Sequence, residues 1–272
     1  MKISFIGGGN MATALIAGLA GKVPQPGDIH VVDPDAAALA RLHGKYGVST
    51  APEIGAAVAA STVIVLAVKP QQMREVALRL QSQLGNNPLV LSIAAGIRGT
   101  DLSRWLNGYG AIVRAMPNTP ALIKKGITGM VALAGVSDEQ QGLADDVMRA
   151  VGDTLWLDEE SLIDAVTAVS GSGPAYVFYF LEAMEGAAVE LGLAPEAGKQ
   201  LALATFMGAA RLAAQSDETL EVLRQRVTSK GGTTHAAITS MEDAGVKEAI
   251  VAAVKAAAAR GRALGDELGK NN

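Results

Sequence analysis

The sequence predicts a doubly wound α/β sheet in its first part and an all-helical domain in its second, on three observations. The chain opens with a short β-rich run, Lys2-Ile3-Ser4-Phe5-Ile6, followed at once by Gly7-Gly8-Gly9-Asn10-Met11-Ala12 and a helix-forming stretch through Leu19. Up to about residue 160, apolar runs of strand length alternate with helical segments, the grammar of a sheet covered on both faces. Beyond that point strands cease and Ala-, Leu- and Val-rich helical stretches take over. Two domains are expected, 1–160 and 161–272.

The N-terminal elements carry the chemistry. Ile29-His30-Val31-Val32 is a second strand that ends at Asp33, which completes the order strand, glycine turn, helix, strand, acid. That order is what a dinucleotide-binding Rossmann unit requires, whereas a bare glycine triplet is only a turn. In the Gly7-Gly8-Gly9 turn, Gly7 allows a tight bend and Gly9 lets backbone approach a pyrophosphate. Ala12 permits close helix–strand packing. The helix that begins near Asn10 and Met11 presents free N–H groups and a partial positive charge to phosphate. Asp33 stands where a carboxylate accepts hydrogen bonds from an adenosine ribose. No arginine follows before Arg41, so its charge favours NADH over the 2′-phosphate of NADPH.

The other elements follow from pattern and punctuation. Asp35 to Tyr46 reads as a helix with Pro34 in its first turn. Ser61 to Val68 is a near-continuous apolar strand that ends at Lys69-Pro70, and Gln71 to Leu84 is helical. Leu89 to Ile93 is a buried strand closed by Ala94-Ala95-Gly96, and Ala111 to Ala115 is another, followed by Pro117-Asn118-Thr119-Pro120. Gly129 to Ala134 and Thr154 to Leu157 are late strands around a helix near Asp138–Val151. The helical half divides into Ser161–Val169, Pro174–Leu191, Pro195–Ala213, Thr219–Val227, Thr234–Met241 and Val246–Leu268, with Gly192 as a helix stop. Several of these helices are apolar around much of their circumference, a surplus that a partner subunit absorbs.

Composition narrows the function. Of 272 residues 49% are hydrophobic and 18% charged, so the chain folds around sizeable cores. A net charge of −4 leaves no basic field for nucleic acid. Cysteine is absent, so there is no disulfide framework and no thiolate site, in keeping with the cytoplasm. No apolar run approaches the roughly 18–20 residues that span a bilayer. No His/Asp/Glu spacing suits a metal.

Four further segments have a functional and a plain reading. Ala67-Val68-Lys69-Pro70 ends a strand where open α/β sheets bind ligands, so Lys69 either touches a cofactor phosphate or ribose or is a solvated loop lysine. Asn118 either hydrogen-bonds a nicotinamide amide or ribose or belongs to an ordinary proline turn. Ser170-Gly171-Ser172-Gly173-Pro174 is a connector whose small residues also allow a ring close to backbone. Val227-Thr228-Ser229-Lys230-Gly231-Gly232-Thr233-Thr234-His235 combines hydroxyls, two glycines and a helix start, an anion-binding nest. There the Ser229 hydroxyl and the N–H groups of Gly232, Thr233 and Thr234 hold a carboxylate. The plain reading is a glycine loop capped by one of the threonines. His235, His30 and His43 read as surface or structural, and Asp158-Glu159-Glu160 as a solvated inter-domain loop.

Taken together, Phe5 to Met11, Ala67 to Gln71, Arg114 to Pro120, Ser170 to Tyr176 and Val227 to Thr234 resemble the pyrroline-5-carboxylate reductases, in order and nearly end to end. The resemblance implies NAD(P)H-dependent reduction of 1-pyrroline-5-carboxylate to L-proline, the closing step of proline biosynthesis. It also implies a helical domain that dimerises and an active site built with the partner's help. Carried over by position, Gly7 to Met11, Asp33, Ala67 to Pro70 and Ala95 belong to the cofactor. Ser229, Gly231, Gly232 and Thr233 belong with the substrate carboxylate, and Thr234 with its ring nitrogen as the catalytic hydroxyl. Two positions depart from the family pattern: Lys230 stands where many relatives have proline, and Arg226 where some have asparagine. Arg226 beside the nest either pairs with the substrate or is a solvated helix-end arginine.

Two other readings stand beside this one. A β-hydroxyacid dehydrogenase shares the architecture but needs a lysine base soon after a glycine-rich helix start, and Gly173 to Phe180 offers none. A non-catalytic dinucleotide sensor that dimerises has no need of a second anion site.

Overall fold

The computed structural model describes residues 1–270. It gathers β1 (Ile3–Ile6), β2 (Ile29–Val32), β3 (Ser49–Ala51), β4 (Val63–Leu66), β5 (Leu89–Ser92), β6 (Ile112–Met116), β7 (Gly126–Ala132) and β8 (Gly152–Trp156) into one sheet, ordered β3-β2-β1-β4-β5-β6-β7-β8. All neighbours run parallel except β6 and β7. The expected doubly wound sheet is therefore present, with its order reversing at β1, between β2 and β4.

Alternation along the strands splits the core in two. Ile3, Phe5, Val63 and Val65 join one cluster with α1 (Asn10–Leu19), α2 (Ala36–Tyr46) and α6 (Asp138–Met148). Ile6, Ile64 and Leu66 join the other with α4 (Met73–Leu80) and α5 (Gly99–Trp105), which also takes in Val58 of α3 (Ala56–Ala59). Burying each large apolar side chain contributes about 1.5–3 kcal/mol, so strands apolar on both faces are stable only in this central layer.

Local chemistry sets the helix ends. Asp35 caps α2, its Oδ1 accepting from the N–H groups of Ala37 and Ala38, and left-handed Gly47 closes it. Pro34 thus precedes the cap instead of occupying the first turn. Ser137 and Gln140 form a capping box on α6. Three elements escape the sequence reading: β3, α3 and α5. Ser49-Thr50-Ala51 has no strand pattern of its own and is extended because it pairs with β2.

The chain forms two compact units, one comprising Met1–Ser172 with the chain from Ala257, the other Gly173–Ala256. The first unit runs past the change in composition at 160. Its α7 (Ile163–Val166) packs so closely that a Cβ on Gly129 of β7 would stand 2.7 Å from Val166 Cγ1. A π-helical turn, Thr167–Gly171, follows.

The second unit contains α8 (Gly173–Glu190), α9 (Pro195–Ala214), α10 (Leu220–Arg226), α11 (Thr233–Asp243) and the first part of α12 (Val246–Gly269). Helices α8 and α9 meet through Phe180 and Phe206, ring centroids 6.5 Å apart. Yet α8, α10 and α11 bury none of their residues, and α9 only Gly198 and Ala202. Among the described residues no helix is long and apolar enough to cross a membrane.

His30 and His43 are structural, as their surroundings suggested. His43 Nδ1 lies 2.9 Å from Val48 O, and His30, buried on β2, has Nδ1 3.0 Å from Ser49 Oγ. Burial pushes the His30 pKa below its ordinary 6.5. As pH falls through that value the unfolded chain takes up a proton that the folded chain refuses, so stability declines toward acid. His30→Asn is expected to flatten that decline, read as a smaller loss of Tm between about pH 7 and about pH 5.

Candidate cofactor and substrate sites

Sheet register aligns the residues read as cofactor-binding. Ile6 is opposite both Val32 and Leu66, and Leu66 is opposite Ser92, so β2, β1, β4 and β5 end at one level. Asp33, Gly7, Ala67 and Ile93 are the next residues of each strand and share one carboxyl edge. Open α/β sheets bind ligands at this edge, at the switch in strand order.

The glycine turn is shaped by contact and charge. Gly7 has φ +104°, and a Cβ there would lie 2.6 Å from Ala67 O, so only glycine lets β1 turn beside β4. A Cβ on Gly9 would meet nothing within 4 Å, which leaves open space over the N-terminus of α1. No side chain caps that end, so the first-turn N–H groups of Asn10, Met11 and Ala12 are available to an anion. The turn fits a dinucleotide pyrophosphate.

Asp33 does more than the sequence suggested. Its Oδ2 accepts from Gly8 N–H at 2.7 Å and its Oδ1 from Asp35 N–H at 2.8 Å. The carboxylate therefore holds the glycine turn in shape, and only its remaining lone pairs face a ribose. Lys69 is exposed at the end of the β4 segment and makes no ion pair among the described residues. Val68 and Pro70 flank it, half-buried, and Ala95 is half-buried just beyond β5.

Asn118 is buried, and most of its amide serves the fold. Its Oδ1 accepts from Ile127 N–H at 3.0 Å and its Nδ2 donates to Ser170 Oγ at 3.3 Å, which leaves one amide hydrogen for a ligand. Through Ser170 it fastens the π-helical turn to the end of β6. A Cβ on Gly171 would stand 2.6 Å from Met116 Cε, so the small residues of this segment serve close packing.

The second candidate site lies wholly in the helical unit, at the start of α11. Gly231 has φ +77°, and Gly232 is the N-cap, with no side-chain cap hydrogen bond. The reading of a threonine-capped loop is therefore overturned: Thr233 and Thr234 are the first two helical residues, both exposed. A Cβ on Gly232 would lie 2.7 Å from Ser229 Oγ, so this glycine is what allows the hydroxyl to sit over the helix end. The N–H of Gly232 donates to Ser229 O at 3.0 Å, so it does not belong to the anion set as the sequence suggested. The free first-turn donors are those of Thr233, Thr234 and His235. With the Ser229 hydroxyl they form a nest suited to a carboxylate.

Two charged residues differ from their sequence readings. Arg226 is ion-paired with Glu218, which precedes α10, and its head is thereby engaged. Glu160 is no solvated loop acid: its Oε1 accepts from the buried Arg114 at 2.5 Å and from Gly99 N–H at 2.6 Å. Residues this far apart in sequence carry no local signal of their pairing.

Comparison with known proteins places this geometry. The model described as pyrroline-5-carboxylate reductase dimerisation matches residues 160–264, and that described as NADP oxidoreductase coenzyme F420-dependent matches residues 2–96. The chain is 44% identical to a pyrroline-5-carboxylate reductase of Pseudomonas aeruginosa, over 99% of this chain and 98% of that protein. A solved pyrroline-5-carboxylate reductase from Coxiella burnetii superposes with a TM-score of 0.90 at 40% identity, covering 97% of this chain and 98% of the other. A Plasmodium falciparum pyrroline carboxylate reductase solved with NADP bound gives 0.87 at 28% identity, again over 97% and 98%. A doubly wound sheet and a helical unit, matched nearly end to end by these relatives, establish that the chain belongs to the pyrroline-5-carboxylate reductase family.

Proposed function

We infer that the protein reduces 1-pyrroline-5-carboxylate to L-proline with NADH or NADPH, the closing step of proline biosynthesis. The observation that carries the reading is the second anion site, the Ser229 hydroxyl seated over the uncapped start of α11. A dinucleotide sensor has no use for it. An alcohol dehydrogenase of the β-hydroxyacid type needs a lysine base early in α8, where the chain reads Tyr176-Val177-Phe178-Tyr179-Phe180.

The bound cofactor supplies a hydride. The chain's own task is positioning, because a cyclic imine protonated on nitrogen is already an electrophile and needs no strong general acid. Productive transfer requires donor and acceptor carbons at roughly 3–3.5 Å with the ring face fixed. Ser229 Oγ and the N–H groups of Thr233 and His235 hold the substrate carboxylate, while Thr234 Oγ1 hydrogen-bonds the ring nitrogen and stabilises its proton. The nucleotide lies along the carboxyl edge, its pyrophosphate on Gly7 to Met11 and its adenosine ribose near Asp33.

The helical unit points to self-association as a dimer or larger homo-oligomer. Phe178, Tyr179, Leu191, Leu201 and Met207 are 65%, 74%, 85%, 57% and 57% exposed, an apolar surface that water solvates poorly. Two copies sharing such faces bury the area of an obligate interface, roughly 2,000 Å² or more. A cytoplasmic location and the absence of nucleic-acid partners accord with a biosynthetic reductase of net charge −4.

Four measurements test this reading. NAD(P)H oxidation that depends on pyrroline-5-carboxylate is expected. Thr234→Ala should lower kcat more than it raises KM, by roughly ten- to a hundred-fold for one hydrogen bond worth about 1–3 kcal/mol. Ser229→Ala should chiefly raise KM, since a carboxylate is held alike in ground and transition states; wild-type kinetics in both variants would refute the assigned roles. For cofactor choice, Asp33→Asn retains an acceptor for Gly8 N–H but removes the charge. It should improve NADPH affinity on the order of tenfold with little change for NADH. Light scattering at micromolar concentration should report no monomer, and a fully active monomer would defeat the assembly reading.

A further inference from the structure

The loop Ile93–Gly99 leaves the carboxyl edge after β5 and is braced from two directions by residues remote in sequence. From one side Glu160 Oε1 accepts from Gly99 N–H at 2.6 Å, an otherwise orphaned donor at the start of α5, and from Arg114 Nη1 at 2.5 Å. Arg114 is buried on β6, so its charge is neutralised where water cannot reach it. From the other side the end of α12 lies against the loop. Arg98 Nη2 donates to Asp266 Oδ1 at 2.6 Å, and a Cβ on left-handed Gly96 would stand 3.3 Å from Leu264 Cβ. Gly265 is buried, and a Cβ there would meet Arg98 Nε at 3.3 Å and Gly96 O at 3.5 Å.

The position of this loop matters for the cofactor. The pyrophosphate belongs after β1 and the adenosine ribose at the end of β2. The remaining half of a dinucleotide therefore crosses the ends of β4 and β5, where Ile93 N–H is bonded to Leu66 O at 3.2 Å. Ala95, half-buried, lies at the surface there, while Ala94 is buried in the second core cluster.

We propose that Glu160, with Arg114, and Asp266, with Arg98, are positioning residues that fix the Ile93–Gly99 loop and thereby seat the nicotinamide ring of the cofactor. None of the four need touch the cofactor. The inference rests on the cofactor reading of this edge. It separates the nicotinamide ring from the rest of the nucleotide: loss of a brace weakens binding of the whole dinucleotide but not of ADP-ribose, which lacks only that ring.

The test is titration of the full-length protein with NADH, NADPH and ADP-ribose for wild type, Glu160→Ala, Glu160→Gln and Asp266→Ala. Glu160→Ala is expected to raise the Kd of the reduced dinucleotides about tenfold while ADP-ribose stays within about twofold. Glu160→Gln should recover most of the affinity, because its amide oxygen still accepts from Gly99 N–H. Asp266→Ala removes an exposed pair of small stabilising value, so it folds even where Glu160→Ala does not, and should raise the dinucleotide Kd about threefold. Dinucleotide affinities unchanged in Asp266→Ala and in whichever Glu160 variants fold, or losses that fall equally on ADP-ribose, would overturn the proposal while leaving the cofactor site intact. A wild-type protein that binds no nucleotide would overturn the cofactor reading and this inference with it.

Discussion

Gly7 lies so close beneath the carbonyl of Ala67 that no side chain fits between them, and the rest of the molecule is arranged around that approach. It lets β1 end level with β4 and turn directly into α1, so the uncapped helix start faces the crevice where strand order reverses. Asp33, one strand away, bonds Gly8 N–H and holds the turn in the shape that approach creates. The residue proposed to select the cofactor thus also shapes the glycine turn. Any change that treats Asp33 as a specificity handle alone disturbs the pyrophosphate cradle as well, which is why an amide is a cleaner replacement than a hydroxyl.

The two compact units obey different rules. The sheet unit closes two cores with side chains from its own sequence, and its large apolar residues on β1, β4 and β5 are essentially inaccessible. The helical unit does not close: α8 combines Phe178, Tyr179 and Met184 on exposed surface with no buried residue of its own. A helix with apolar residues on most sides is stable only in a larger core than one chain supplies. The proposed substrate nest at the start of α11 belongs to this unit, so on that reading folding, assembly and substrate binding are linked there.

Much of this was legible in sequence because the signals are local. The β1–α1–β2 unit, the long apolar strand at Ser61–Val68 and the helix breaks at Pro195 and Gly192 each announce themselves within a few residues. What escaped depends on contacts between distant positions. β3 is a strand only because β2 offers it an edge. Glu160 looks like one of three solvated acids until Arg114, buried on β6, turns it inward. Arg226 looked free to meet a substrate but is held by Glu218, eight positions earlier by number. At Ser229–Thr234 the glycine loop and helix start lie where the pattern placed them, but which N–H groups are free was settled by the turn: Gly232 donates to Ser229 O, so the free donors shift one residue further into α11.

One of these misreadings, that of Glu160, belongs to a wider pattern that bears on how the enzyme works. Three carboxylates in this chain are engaged in fixing backbone: Asp33 the glycine turn, Asp35 the start of α2, Glu160 the start of α5. Such a charge-assisted bond to a backbone N–H is stronger than a neutral one and fixes direction as well as distance. The donors proposed to meet ligands, by contrast, are backbone N–H groups at the starts of α1 and α11, which no side chain caps. A reaction whose electrophile is already activated asks for little acid–base chemistry and for accurate placement of two reactants. A scaffold in which three carboxylates shape loops, and uncapped helix starts are left for the proposed anions, suits that demand.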